Sequence, residues 1–150
     1  MAEADIRYRR GQLVEANAEE SARIGVPGNR RWLVLQNENT KERLDVVVCY
    51  VTAMYNDYGQ KRLKRSTDVV LKKGTKIGED RKMTEDSYIR CHQIYTLRTD
   101  SIHFVGRIPD PLMFKVDERL RSLLALPAKL DAYQQLLLDN MLQKTNHVKP

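Results

Sequence analysis

Residues 32–52, WLVLQNENTKERLDVVVCYVT, decide the fold, because two apolar runs flank a short polar turn. The first run, WLVLQ at 32–36, predicts a buried strand. The second run, Leu44 to Thr52, is rich in β-branched residues, and its near-continuous apolar character predicts a strand buried on both faces. The turn at 38–43 joins them, so the stretch predicts two strands of an antiparallel sheet.

Further strands are predicted on either side of this stretch. Upstream, RGQLVEAN at 10–17 predicts a first short strand, and the Gly- and Pro-containing residues 18–31 predict a long polar loop. Downstream, three more segments have strand character, at 67–71, 87–94 and 101–107. Strict alternation in the segment 87–94 would divide its side chains between two faces, with Tyr88, Arg90 and His92 on one and Ile89, Cys91 and Gln93 on the other.

Two apolar stripes in the last third of the chain predict helices. The first helix has Asp110 as its predicted N-cap and Pro111 at its first helical position. Pro127 interrupts the stripe and is predicted to end this helix and open a second one over 127–145. The second segment either packs on the same core or faces a partner. Short strands followed by helices predict the α+β class, with a small antiparallel β-barrel and C-terminal helices.

The length of 150 residues suits one domain with an appended element, predicted here as 1–126 and 127–150. It is too short for a barrel enzyme or a two-domain dehydrogenase. No stretch approaches the roughly 20 apolar residues that span a membrane, and the first ten residues lack the apolar core of a secretory signal. The two cysteines form no CxxC pair, so both are predicted to be reduced thiols of a cytoplasmic protein.

The net charge of +6 lies in one segment, residues 60–82, which carries nine basic and three acidic side chains. The remainder of the chain is balanced. Such a segment can attract a polyanion, of which nucleic acid is the commonest. The alternative interpretation is a solvated loop that keeps the protein in solution.

The common catalytic motifs are missing from the sequence. The three histidines are scattered without metal-ligand spacing, and GxSxG, P-loop and GxGxxG patterns do not occur. We therefore predict no metal site and no cofactor. Cys49 lies in the most apolar strand, where a thiol is usually inert. An acid/base pair of His92 and His103 is an alternative, although lone histidines in strands are more often structural.

Several short motifs occur in a fixed order along residues 9–126. They are Arg10-Gly11 at the start of a strand, Gly28-Asn29-Arg30 before WLVLQN (32–37), VVVCYVTA (46–53), Asp86-Ser87 followed by Gln93-Ile94-Tyr95-Thr96, and FKVDERLRSLLAL (114–126). This ordered set resembles the MazF/PemK toxins, which are mRNA endoribonucleases of type II toxin–antitoxin systems.

The resemblance implies a homodimer of small SH3-like β-barrels with helices on one side, the CcdB/PemK-like fold. It also implies sequence-specific, metal-independent cleavage of single-stranded mRNA through a 2′,3′-cyclic phosphate, with a cognate antitoxin as partner. The family's catalytic Arg falls on Arg30, its catalytic Thr on Thr52 and its groove Gln on Gln93. Together with Gln93, we predict that the nearby polar and basic side chains bind RNA, namely Arg23, Asn29, Arg31, Lys61, Arg62, Lys64 and Arg65.

The chemistry of these residue types fits the roles that the resemblance implies. A guanidinium is always cationic and binds phosphate through two parallel hydrogen bonds, so Arg30 would stabilise charge developing on the phosphoryl oxygens. A permanently cationic group is a poor proton donor, so an electrostatic role is favoured over general-acid catalysis. A Thr hydroxyl is a poor base, so Thr52 would orient the attacking 2′-hydroxyl or a phosphoryl oxygen.

The chain departs from the family pattern at several positions. Arg31 replaces the usual Pro, Asp68 replaces a groove His, and His92 replaces a Glu. A carboxylate in the groove would repel phosphate. The alternatives are a non-cleaving RNA-binding protein or a gyrase-poison-like protein of the same fold, and a scaffold or antitoxin-like protein whose arm would be the basic segment. The ending KTNHVKP lacks the aromatic end on which the gyrase poisons depend.

Overall fold

The computed structural model describes residues 8–26, 28, 30–36, 45–125 and 132–147. Six strands form one antiparallel sheet in the order β4-β5-β3-β2-β1-β6, which is the sheet type predicted. The strands are β1 (Gln12–Ala16), β2 (Arg30–Val34), β3 (Asp45–Ala53), β4 (Asp68–Leu71), β5 (Ser87–Arg98) and β6 (Ile102–Arg107). The helices are α1 (Ala18–Arg23), α2 (Asp110–Leu123) and α3 (Ala132–His147), and one 3-10 turn covers Thr99–Ser101.

The strand β3 is buried on both faces, as its apolar sequence predicts. On one face Val46 and Val48 pack in a core cluster with Trp32. On the other face Cys49 and Val51 belong to a second cluster, which α2 covers with Met113 and Val116. The sheet therefore separates two apolar cores, and β3, paired with β2 and β5, lies at its centre.

The predicted long loop over 18–31 is wrong at its beginning, where residues 18–23 form the helix α1. The side chain of Asn17 accepts a hydrogen bond of 2.8 Å from the backbone N–H of Glu20 and so caps the helix. An Asn followed three residues later by Glu resembles the capping-box pattern. The glycine and proline residues that follow α1 are typical of loops, and they led to the prediction of a loop over the whole segment.

The strand β2 begins at Arg30, two residues before the predicted start at Trp32. Backbone hydrogen bonding to β1 and β3 extends past the apolar residues, with Ala16 opposite Arg30 and Arg31 opposite Val51. Continuing this register places Arg30 opposite Thr52. Arg30 is therefore held by the sheet and does not belong to the preceding loop.

A bulge interrupts β5 and changes which side chains share a face. The pairing with β3 passes from Cys49↔Ile94 to Tyr50↔Arg90, so β5 has extra residues between these two pairs. The strict alternation predicted for 87–94 is therefore wrong, because Arg90 and Gln93 line the same pocket. The strand also continues to Arg98, four residues beyond its predicted end.

The helix α2 begins at Asp110 after Pro109 as its N-cap, one residue earlier than predicted, with Pro111 in the first turn. Pro127 and the predicted boundary between 1–126 and 127–150 lie outside the described residues, so this division stays a prediction. In α3 the side chains at 136–143 are exposed. None of the described helices is long and apolar enough to cross a membrane.

The segment 72–83 brings the two edges of the sheet together, because it follows β4 and bonds to β6. The backbone N–H of Arg107 donates to the carbonyl of Ile77 at 2.7 Å, and Arg81 Nη1 donates to the carbonyl of Val105 at 2.7 Å. This contact curls the sheet toward the predicted barrel. It also gives part of the basic segment a structural role at β6.

Gly106 is the point of closest approach in this contact, so Gly106→Ala is expected to destabilise the protein. A Cβ there would lie 2.6 Å from the carbonyl oxygen of Ile77 and 3.0 Å from its Cβ, and backbone would have to move. We expect the free energy of unfolding to fall by about 1–3 kcal/mol. Urea unfolding measures the effect, and Gly59→Ala, where no atom lies within 4 Å of the added carbon but φ is +74°, separates backbone strain from crowding. Equal losses in the two variants would contradict the crowding explanation.

Candidate active site

A pocket of about 460 Å³ lies beside the ends of β2 and β3. Among the described residues the lining is dominated by arginine and includes no carboxylate; it consists of Arg30, Tyr50, Thr52, Arg62, Leu63, Arg65, Arg90 and Gln93. Four guanidinium groups around one cavity make it suited to an anion, because each is permanently cationic and presents several N–H donors.

Arg30 enters the pocket from the first residue of β2, and Gly28 provides room for its side chain. Gly28 has a φ of +98°, and a Cβ at this position would lie 3.4 Å from Arg30 Nε. A glycine two residues before Arg30 therefore allows both the turn of the chain and the path of the guanidinium. The motif Gly28-x-Arg30 has a direct structural reason.

Thr52 enters the same pocket from the neighbouring strand β3, where it is 7% exposed. It is paired with Tyr88 of β5 and, by continuation of the β2–β3 register, lies opposite Arg30. A hydroxyl and a guanidinium thus face one cavity from adjacent strands. The hydroxyl can both donate and accept a hydrogen bond, whereas the guanidinium only donates.

The structure brings three of the predicted RNA-binding residues to this pocket, namely Arg62, Arg65 and Gln93. Arg62 is fixed there, because its Nε donates to the carbonyl of Ala53 at 3.0 Å. Gln93 reaches the pocket through the bulge in β5. All three remain predicted RNA-binding residues.

The other predicted RNA-binding residues that the structure describes do not line this pocket. Arg31 alternates to the opposite face of β2, where its guanidinium contacts the sulfur of Met83 at 3.9 Å. Lys64 lines a second cavity, between β4 and α2, and Lys61 is exposed. Arg23 lies on α1, where it forms an ion pair with Glu20. Asn29 lies outside the described residues.

Sequence reasoning missed three pocket residues, Tyr50, Leu63 and Arg90. Arg90 is the one with clear chemical consequence, because it adds a fourth cation to the cavity. The cross-strand row Tyr50–Arg90–Asp68 would have indicated its position. To identify that row, one must know how β5 pairs with β3 and β4 on both sides of the bulge. This pairing cannot be predicted from the sequence.

Asp68 does not present a free carboxylate to an incoming phosphate. It is 1% exposed, and its Oδ2 accepts a hydrogen bond of 2.8 Å from Arg90 Nη1. The expected repulsion assumed a groove-facing side chain, whereas the structure buries this carboxylate in an ion pair. Its negative charge is compensated locally.

His92 is not among the lining residues of the pocket and lies beside Thr67 and Asp68. Its Nδ1 lies 3.2 Å from Thr67 Oγ1 and 3.8 Å from Asp68 Oδ1. Burial lowers the pKa of His92, Asp68 opposes this shift, and the nearby cations Arg65 and Arg90 add to it. His92 is therefore held neutral near pH 7. The alternative acid/base partner, His103, is exposed on β6, with three strands between β6 and β5.

The lowered pKa of His92 predicts a loss of stability in mild acid. The imidazole binds protons more weakly in the folded state than in the unfolded state, where its pKa is near 6.5. As pH falls from about 6.5 through the lower folded-state pKa, the unfolded state takes up more protons and the free energy of unfolding decreases. Thermal unfolding at pH 7.5 and 5.5 should show a smaller drop for His92→Gln than for the wild type. His103→Gln is the control, and an undiminished drop in His92→Gln would contradict the interpretation.

The two cysteines are buried on neighbouring strands as free thiols. A hydrogen bond with Cys91, together with burial, raises the pKa of the Cys49 thiol. A buried thiol with a raised pKa is a poor nucleophile, as predicted for this position. In the part of the chain that the structure describes, no three His, Cys, Asp or Glu side chains are grouped as metal ligands would be.

Comparison with known proteins gives a consistent picture. A family model described as a PemK-like, MazF-like toxin of type II toxin–antitoxin systems matches residues 9–124. The search of curated proteins gave no match.

Among solved structures, an endoribonuclease in complex with its cognate antitoxin from a mycobacterial species is similar with a TM-score of 0.57 and 22% identity, over 81% of this chain and 99% of that one. MazF from Deinococcus radiodurans is similar with a TM-score of 0.59 and 19% identity, over 81% of this chain and 99% of that one. A MazE–MazF structure from the same organism has a TM-score of 0.57 and 18% identity, over 82% of this chain and 100% of the matched chain. At these identities the likeness is one of fold, and it confirms the predicted α+β, CcdB/PemK-like architecture.

Proposed function

Because the chain belongs to the family of PemK-like, MazF-like toxins of type II toxin–antitoxin systems, we propose that it is an endoribonuclease that cleaves single-stranded mRNA. The observation that carries this proposal is the meeting of Arg30 and Thr52 in one arginine-lined pocket. They are 22 positions apart in sequence and come from adjacent strands. The pocket offers positive charge and hydrogen-bond donors where a phosphodiester could lie.

The proposed reaction is an in-line transphosphorylation. The ribose 2′-oxygen forms a bond to the adjacent phosphorus, its proton passes to water, and the bond from phosphorus to the 5′-oxygen of the next nucleotide breaks. The products are a 2′,3′-cyclic phosphate and a 5′-hydroxyl, the leaving oxygen having gained a proton. Only RNA carries the attacking hydroxyl, so the reaction requires ribose at the cleaved position.

Arg30 stabilises the negative charge that develops on the phosphoryl oxygens. A guanidinium can donate two parallel hydrogen bonds to them, and such stabilisation is strongest where the donor is held in place before reaction. Because a guanidinium is permanently cationic, we assign Arg30 an electrostatic role and not proton donation. Because guanidinium groups supply the positive charge, we propose that cleavage needs no metal ion.

Thr52 orients the reacting groups by a hydrogen bond, either to the 2′-hydroxyl or to a phosphoryl oxygen. Its burial at the end of β3 restricts the positions that its hydroxyl can take. Gln93 lies on β5, which pairs with β3 on the side away from β2. Its amide, which lines the pocket, can both donate a hydrogen bond to a base edge and accept one from it. We assign to it a share of the sequence specificity.

The decisive experiment is incubation of a mixed RNA with the pure protein in EDTA, followed by mapping of the product ends. We expect cleavage, with a 2′,3′-cyclic phosphate and a 5′-hydroxyl at each cut. The matched control is an oligonucleotide with a single 2′-deoxy substitution at a mapped site, which should resist cleavage there. Products ending in a 3′-hydroxyl, or activity that EDTA abolishes, would contradict the proposed reaction. Binding without any product would favour the non-cleaving alternative.

We further propose that the protein acts in the cytoplasm as a homodimer that a cognate antitoxin inhibits. The family is one of toxin–antitoxin pairs, and similar folds occur in complexes with an antitoxin. The mRNA substrate and the two free thiols agree with a cytoplasmic site of action. Sedimentation of the pure protein tests the dimer, since a monomer at micromolar concentration would refute it.

A further inference from the structure

Arg90 is fixed more firmly than a surface arginine. Its side chain is 11% exposed and lies at the wall of the pocket that contains Arg30 and Thr52. Its Nη1 donates to Asp68 Oδ2 at 2.8 Å, and both Nη1 and Nη2 donate to the carbonyl of Leu63 at 3.3 Å. The ring of Tyr88 supports the group, with the guanidinium carbon 5.4 Å from the ring centre.

Asp68 is the residue that holds this arrangement together. Its side chain is 0% exposed, and its Oδ2 also accepts the backbone N–H of Arg65 at 2.8 Å. The backbone N–H of Asp68 in turn donates to the carbonyl of Arg65 at 3.0 Å. One carboxylate therefore fixes both the turn at 65–68 and the guanidinium of Arg90, which would otherwise have many rotamers.

One edge of the Arg90 guanidinium is left for a ligand. A guanidinium has five N–H groups, and the contacts to Asp68 and Leu63 occupy the two of Nη1 and one of Nη2. The remaining two, on Nε and Nη2, lie side by side along one edge. No acceptor within the described ranges bonds to this edge, whose spacing matches two oxygens of a phosphate.

The position of Arg90 in the sheet separates it from the reaction centre by one row. Arg90 is opposite Tyr50, whereas Tyr88 is opposite Thr52, two residues further along β3. Two residues of a strand span about 7 Å. Arg90 and Thr52 therefore meet the pocket at two neighbouring levels along β3.

We propose that Arg90 binds the RNA phosphate next to the scissile one and that Asp68 is a positioning residue which holds the Arg90 guanidinium in place. This proposal rests on the proposed function, because it requires an RNA strand in the pocket. Arg90 would strengthen substrate binding equally in the ground state and the transition state. Its removal should therefore raise KM and leave kcat nearly unchanged.

The test uses an RNA with a 2′-deoxy group at the cleaved position for binding, and the unmodified RNA for kinetics. For Arg90→Gln we expect Kd and KM to rise roughly tenfold, with kcat within about twofold of the wild type. The slope of log Kd against log salt should decrease in magnitude by about 0.7, the value for one lost contact to a single strand. The matched control is Arg107→Gln, which removes an arginine that is paired with Asp110 and is 58% exposed on β6.

Asp68→Asn gives the sharpest result, because two explanations predict opposite signs. If Asp68 acted only through its charge, its removal would tighten binding to a polyanion. If Asp68 is a positioning residue, its replacement should instead weaken binding several-fold, since a neutral amide holds the Arg90 guanidinium less firmly than a carboxylate. Asp110→Asn, which removes the carboxylate of the control pair, should not weaken binding.

Folding is controlled by the double variant Asp68→Asn/Arg90→Gln, which leaves no uncompensated buried charge. It should unfold cooperatively and bind RNA as weakly as Arg90→Gln alone, because the two residues act through one contact. This proposal would be overturned by unchanged binding in Arg90→Gln or the double variant, or by tighter binding in Asp68→Asn. Cleavage by the wild-type protein would at the same time uphold the proposed function. A wild-type protein that neither binds nor cleaves RNA would overturn both.

Discussion

Replacement of Arg30 by alanine is expected to slow RNA cleavage by at least roughly 10²–10³-fold. The guanidinium is the group placed opposite Thr52, and loss of one donor to a developing oxyanion has an effect of this size. The loss should appear mainly in kcat, because the contact is strongest in the transition state. Single-turnover cleavage of a fluorescent oligonucleotide, at saturating protein, measures the effect directly.

Two controls separate lost chemistry from lost structure in this variant. Arg121→Ala removes the same charge from the exposed last turn of α2 and should change the rate less than about threefold. The unfolding midpoint of Arg30→Ala should remain close to that of the wild type, since the residue is exposed at the end of β2. If Arg30→Ala retained half or more of the wild-type rate, the assignment of the reaction centre would be wrong.

Trp32→Ala is expected to produce the largest loss of stability in the chain, about 3–5 kcal/mol. Trp32 is 0% exposed, and its ring centre lies 5.0 Å from that of Tyr50 and 5.1 Å from that of Tyr95. Truncation would leave a cavity between β2, β3 and β5, directly beneath one wall of the pocket. Because this is the sole tryptophan, unfolding in urea should be followed by circular dichroism instead of fluorescence.

Trp32→Phe is the informative companion variant. It keeps a ring in the core and removes the indole N–H, which has no hydrogen-bond partner among the described residues. We expect less than half of the loss seen for alanine, because part of the packing is retained and an unsatisfied donor is removed. Tyr58→Ala, at a residue that is 89% exposed, should change stability by less than about 0.5 kcal/mol. A loss below about 1 kcal/mol for Trp32→Ala would contradict the packing argument.

The sequence predicted those parts of the fold that depend on local patterns. The apolar run of β3 indicated a strand buried on both faces, and the apolar stripe after Pro111 indicated α2. In both cases the residues that become buried are apolar and follow one another at the spacing of the element. The helix α1 was missed even though Asn17 and Glu20 form its cap, because glycine and proline a few residues later have the stronger signal. The early start of β2 was missed because Arg30 and Arg31 gain their strand conformation from their neighbours.

The site residues to which the family resemblance assigns a role could be predicted from the sequence. Those whose position depends on the pairing register of the strands could not. Arg30 and Thr52 were predicted from the motifs, and the structure brings them to one pocket. Arg90 was missed because its position depends on pairing with β3 and β4 across a bulge. Asp68 was misinterpreted as a repulsive charge, since a sequence does not show that a carboxylate has a buried cationic partner.

The bulge in β5 makes the composition of the pocket depend on the length of that strand as well as on its residues. Arg90 is the last paired residue before the irregularity and Gln93 lies within it, and both reach the pocket because β5 does not alternate strictly between them. Deleting one residue there would change the position of Gln93 relative to Arg90, whereas a substitution would alter one side chain at a time. Variation during evolution should therefore accumulate in β5 as exchanges of residues, while insertions and deletions are confined to the connecting loops.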